Sequence, residues 1–110
     1  MVSVIVHYKI EKSDKEEIMR LVKRKGIKSM SGFIRFYIRK LYTDKELLQE
    51  FVDFIDEWIG EYTDEDTDMN IYYDNITHKM LQYLSEYTAL RKNDLMRMLV
   101  KFILYKNNLL

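Results

Sequence analysis

Cysteine is absent from the chain. Its absence removes a disulfide framework, a thiolate zinc site and a cysteine nucleophile together, and it fits a reducing, intracellular setting. Histidine occurs only as His7 and His78, in separate segments with no metal-ligand spacing around them, so neither a metal cage nor any other cofactor is expected. The three glycines form no glycine-rich phosphate loop, and Asp53, Asp56 and Glu57 read as a solvated helix face rather than the carboxylates of a cleft. Enzyme chemistry on a small-molecule substrate is therefore the least supported class. Proline is also missing, which together with abundant Lys, Glu, Ile and Tyr leaves the source open. The opening VSVIV is interrupted by His7 and Lys9 before it reaches signal-peptide length, and no later run approaches the ~20 apolar residues of a membrane span. The expectation is a soluble, cytoplasmic protein that does not engage membranes.

What is present is enough to fold. In 110 residues, 47 % are hydrophobic and 14 % aromatic, sufficient for one domain or two very small ones sharing a core. The net charge of zero hides segregation. Residues 1–42 carry eleven Lys/Arg against four acids, residues 43–76 one against twelve, and residues 77–110 six against two. A basic segment followed by an acidic one makes two faces able to attract different partners.

SVIVHYKI alternates, with Val4, Val6, Tyr8 and Ile10 on one side and Ser3, Ile5, His7 and Lys9 on the other, as in a strand with one buried face. Ser13-Asp14-Lys15-Glu16 reads as a capping box, followed by Ile18, Leu21 and Val22 at helical spacing and a stop at Gly26. A second helix begins at Ser29-Met30-Ser31-Gly32. Its stripe is Phe33, Ile34, Tyr37, Ile38 and Leu41, with Arg35, Arg39 and Lys40 mostly on the outer side. Thr43-Asp44-Lys45-Glu46 reads as another box, opening an acidic middle helix whose broad stripe runs Leu47, Leu48, Phe51, Val52, Ile55, Trp58, Ile59 and Tyr62. TDEDTD, 63–68, is the best loop candidate.

The organisation then restarts. At an offset of 62, Ile18, Met19, Val22, Phe33, Ile34, Arg35, Ile38 and Arg39 fall on Met80, Leu81, Leu84, Leu95, Met96, Arg97, Val100 and Lys101. MNIYYDN supplies a second strand only with a one-residue shift, which puts Met69, Ile71 and Tyr73 inward and Asn70 and Tyr72 outward. The resulting units are 1–42, an acidic helix and loop over 43–68, and a divergent second unit over 69–110.

A lone strand followed by two helices cannot close a core and needs another copy of itself. Two copies make a mainly α fold with a two-stranded antiparallel ribbon. In the order and lengths of its elements, the glycine turn, and Ser29, Met30, Ser31, Gly32 and Ile34 at the second helix start, the segment from Val4 to Tyr42 resembles the ribbon-helix-helix DNA-binding family. With Met69 to Lys106 as a second copy, the whole chain resembles the tandem ribbon-helix-helix regulators of filamentous archaeal viruses, a pseudo-dimer with an extra acidic middle helix.

This resemblance implies sequence-specific binding of double-stranded DNA by the ribbon in the major groove, and transcriptional regulation, as a repressor that excludes polymerase or general factors from a promoter. The base readers carried over are Ser3, Ile5, His7 and Lys9 from the first strand and Asn70 and Tyr72 from the second. Lys9 would donate to guanine, Asn70 would pair with adenine and Ile5 would rest on a thymine methyl. At the helix start, Ser29 would cap, the amides of Met30 and Ser31 would meet a phosphate, Gly32 would keep the approach open, and Arg24 and Lys28 would add charge. In the second copy Arg91, Lys92 and Asn93 take these places, without a capping serine and with Asp94 where the pattern wants a small residue. Asp66 and Asp68 oppose DNA unless their loop turns away from the groove. Alternatively only the first ribbon engages well, and two chains self-associate through the middle helix to bring two good ribbons together. The rival from another class is a protein-interaction module, antitoxin-like or an adaptor, whose middle helix clamps a partner through Phe51, Phe54, Trp58 and Tyr62, residues whose ordinary role is core packing.

Overall fold

The computed structural model describes residues 3–58 and 65–108. Its elements run β1 (Ser3–Glu11), α1 (Lys12–Arg24), α2 (Met30–Thr43), α3 (Lys45–Glu57), β2 (Asp66–Asp74), α4 (Asn75–Thr88) and α5 (Lys92–Lys106). The molecule is mainly helical, with β1 and β2 as one antiparallel two-stranded sheet from Ser3 opposite Asp74 to Glu11 opposite Asp66. Alternation decides the faces. Tyr8, Ile10, Met69, Ile71 and Tyr73 are buried and Val4 and Val6 pack partly into the same core, while Ser3, Ile5, His7, Lys9, Asn70 and Tyr72 are exposed. The hydroxyls of Tyr8 and Tyr73 meet at 2.8 Å inside, and burial pushes the Tyr8 phenol up to about 12 and that of Tyr73 higher still.

Four element boundaries depart from the sequence expectation, the first being the end of α3 at Glu57, where Trp58 of the expected stripe is already extended. α1 starts before Ser13, with Glu11 at the cap position and no side-chain cap, because the Glu11 and Asp14 carboxylates turn inward to Lys101. Thr43 is the last residue of α2, its hydroxyl donating to the Arg39 carbonyl at 2.9 Å, and Asp44 alone caps α3 through the amides of Glu46 and Leu47. Most important, β2 begins at Asp66, so half of the expected loop is strand. Residues of low strand propensity extend there because Lys9 and Arg97 pair with Asp68 and Asp66. Thr63 and Asp64 of that loop, and Ile59 and Tyr62 of the expected stripe, lie outside the described residues.

Elsewhere the local signals hold. Gly26, at φ 71°, takes the left-handed conformation that ends α1, and Ser29 caps α2 by accepting from the Gly32 amide at 3.0 Å. The buried residues of α2 and α5 match at the expected offset of 62, Phe33, Ile34, Ile38 and Leu41 against Leu95, Met96, Val100 and Ile103. Those of α1 and α4 match at 63 instead, Asp14, Ile18 and Leu21 against Thr77, Leu81 and Leu84, so the one-residue shift of the strands continues through the following helix.

α3 breaks the likeness of the halves. Its apolar face, which could have sought a partner, lies on α5 of the same chain, with Phe51 and Phe54 against Phe102 at ring distances of 5.1 and 5.6 Å and Phe54 against Tyr105 at 5.2 Å. Full burial of rings such as Phe51 and Phe102 stabilises by roughly 1.5–3 kcal/mol each. The cover leaves α5 buried from Met98 to Leu104 and encloses Lys101, whose Nζ lies 2.7 Å from Asp14 Oδ2 and 5.0 Å from the centre of the Trp58 ring. Glu11 Oε1 meets this ammonium at 3.4 Å as a charge, without a hydrogen bond. Among the described residues no helix is long and apolar enough to cross a membrane.

Candidate nucleic-acid interface

The outward side of the ribbon carries Ile5 opposite Tyr72, His7 opposite Asn70 and Lys9 opposite Asp68. Period-two alternation brings all six to one surface. Ser3, at the strand's beginning, faces Asp74 and is likewise exposed. At the centre His7 Nδ1 and Asn70 Oδ1 are 2.6 Å apart, and since an amide oxygen only accepts, Nδ1 carries the proton in this arrangement.

Lys9 departs from the expected reader. Its Nζ lies 2.6 Å from Asp68 Oδ1 across the ribbon. The hydrogen bond and the charge of each partner hold the lysine pKa above, and the aspartate pKa below, its ordinary value. Asp68 therefore stands on the outer face itself rather than in a loop turned away, and Lys15 adds a bond to its carbonyl. The other acids of β2 meet cations, Asp66 with Arg97 at 2.8 Å and Asp74 with Arg39 at 3.2 Å. Asp74 also accepts from the Thr77 amide at 2.8 Å, and this bond is the main reason its carboxyl is held down to about 2.

A two-stranded ribbon has unpaired backbone groups along both margins, and the starts of α2 and α5 supply partners there. Ser31 Oγ accepts from the Tyr72 amide at 3.1 Å while Arg35 donates to the Tyr72 carbonyl. On the opposite margin one side chain does both jobs: Asn93 accepts from the Lys9 amide at 2.8 Å and donates to the Lys9 carbonyl at 3.1 Å. Lys9 and Tyr72 lie two residues beyond the central His7 and Asn70, so the two attachments are reciprocal about that pair.

These bonds revise the expected phosphate sites. Ser29 caps as anticipated, and the amides of Met30 and Ser31 lie in the first turn, where no preceding helical carbonyl reaches them. The side chains do other work, Ser31 on the ribbon and Met30 against the core. A Cβ on Gly32 would come within 3.0 Å of Ser29 Oγ, so the glycine protects the cap rather than an approach path. Arg24 and Lys28 are exposed, Arg24 at the end of α1 and Lys28 immediately before the Ser29 cap. At α5, Arg91 occupies the cap position without a side-chain bond, and Asn93 is turned to Lys9 rather than free for a phosphate. Lys92 Nζ is 3.4 Å from His78 Nε2, whose pKa is lowered by burial and then by that charge. Asp94 is exposed in the first turn.

The bonds of Ser31, Asn93 and Arg35 to the ribbon margins are the part of the candidate site that sequence reasoning missed. Ser31 and Asn93 do coincide at the offset of 62, so two short polar side chains at matched helix starts were the available signal. Among the described residues no group of three His, Asp or Glu side chains is placed to hold a metal ion. Comparison with protein-family models, curated proteins and solved structures finds no match to this chain.

Proposed function

We propose that the chain is a tandem ribbon-helix-helix protein, a pseudo-dimer within one polypeptide. It binds double-stranded DNA sequence-specifically with the outer face of its ribbon in the major groove, and it acts as a transcriptional repressor. The observation that carries this reading is the reciprocal attachment of two helix starts to the two margins of one ribbon, Ser31 to Tyr72 and Asn93 to Lys9. A ribbon with one buried face and two helix N-termini at its sides offers base edges a set of side chains and flanking phosphates two sets of amides. Ile5, His7, Asn70 and Tyr72 form the readout surface. Lys9 joins it when its bond to Asp68 yields to a base or phosphate acceptor.

The charges predict unequal halves. Arg24, Lys28 and the Ser29-capped start present a cleaner phosphate site than Arg91 and Lys92 beside Asp94. Selection of bound sequences from a random duplex pool, followed by binding across a salt series, tests the proposal. Affinity should fall steeply with salt; Lys28→Ala should weaken all sites alike and lower the salt slope by about 1, whereas His7→Ala should blur preference at one position. Asp68→Ala should raise nonspecific affinity by releasing Lys9 and removing a carboxylate from the groove. Absence of salt-sensitive duplex binding, or indifference to all three changes, would reject the ribbon face as the contact.

A further inference from the structure

α4 carries an apolar stripe that nothing in the described chain covers. Ile76, Tyr83 and Tyr87 are 64, 44 and 52 % exposed. With the half-buried Met80 they recur at steps of four, three and four residues, the spacing of a coiled-coil seam. Tyr42, at the end of α2, widens the patch with its ring edge-on to Tyr83 at 5.2 Å, and Tyr83 stacks on Tyr87 at 5.9 Å. α1 provides an internal control. Matched by their buried residues, the positions of α1 that correspond to Ile76, Met80, Tyr83 and Tyr87 are Ser13, Glu17, Arg20 and Arg24. A polar outer face is sufficient for that place in the fold, so the apolar groups of α4 require another explanation.

The charges beside the stripe identify its occupant. Lys79 and Glu86 are exposed, form no ion pair among the described residues and lie on the same flank, one heptad apart. When two α4 helices pack antiparallel about a twofold axis, Ile76 meets Tyr87 and Met80 meets Tyr83 in the seam, and Lys79 of each copy faces Glu86 of the other. The surface is complementary to itself in shape of pattern and in sign of charge. Zero net charge leaves no general repulsion between copies.

We propose that this face of α4 is the docking site for a second copy of the chain, forming an antiparallel α4–α4 homodimer. Sedimentation equilibrium of the full chain without DNA, from about 1 μM to about 1 mM, tests it. The chain should dimerise with rising concentration, and Ile76→Asp combined with Tyr87→Asp should abolish the dimer. Lys79→Glu and Glu86→Lys, each of which sets two like-charge pairs across the axis, should each weaken it at least about tenfold at low salt. The two reversals together should restore it to within about threefold of the parent. Thermal melts should show every variant folded, since each altered side chain is exposed. A chain that stays monomeric throughout overturns the proposal, as does a dimer that ignores the apolar changes or whose single charge reversals are not rescued by the double one.

Discussion

Arg39 of α2 and Lys101 of α5 occupy matched positions and do matched work, yet in opposite surroundings. Each reaches from the second helix of its half to the end of the other half's strand, Arg39 to Asp74 and Thr77, Lys101 to Glu11 and Asp14. The Arg39 side chain is 51 % exposed and that of Lys101 4 %. α3 makes the difference by covering α5 and leaving the corresponding face of α2 open. The same contact is a solvent-screened tether on one side and an enclosed charge cluster on the other, and the consequences of breaking it should differ accordingly.

The largest effect should come from Lys101→Ala, which leaves Glu11 and Asp14 buried without their cation and should destabilise by about 3–5 kcal/mol in a denaturant melt. Lys101→Met keeps the volume and the packing on Trp58 but not the charge, so its result separates electrostatic from packing contributions. Ser29→Ala, which removes the cap of α2, should cost about 1 kcal/mol. Arg91→Ser, supplying the capping side chain that α5 lacks, should stabilise by roughly 0.5–1 kcal/mol and bring the two starts closer to equivalence. Arg39→Ala should be milder than Lys101→Ala by severalfold, at about 1 kcal/mol or less.

The smallest difference is read through pH. Because the folded Asp74 carboxyl is held down to about 2, from an ordinary 3.8, its stabilising contribution is complete above about pH 5 and is lost as the pH falls through 3.8 toward 2. Asp74→Asn, which retains a capping oxygen but cannot titrate, should flatten the stability profile in that window. An unchanged slope would assign the acid sensitivity to other carboxylates.

Both strand faces were legible in the sequence, because alternation in SVIVHYKI and MNIYYDN is a local pattern with a single satisfactory orientation. The caps at Ser29 and the stop at Gly26 were legible for the same reason. The strand character of Asp66 and Asp68 was not, since it depends on Lys9 and Arg97 across space and runs against local propensity. The burial of Lys101 was hidden by a third element: helical spacing describes how α5 meets the ribbon but not that α3 covers its other side. In the candidate site the outward residues were found by period, whereas the attachment of Ser31 and Asn93 to the strand margins required knowledge of which helix start lies beside which strand.

His7 and Asn70 meet across the ribbon although 63 positions separate them along the chain. No tight hairpin can nucleate this sheet, so its registry must await closure of a long segment whose described residues include α1, α2 and α3. Helical signal in a stopped-flow refolding experiment should therefore rise ahead of the burial of Tyr8 and Tyr73, and the outer face of the ribbon should be the last part of the molecule to come into existence.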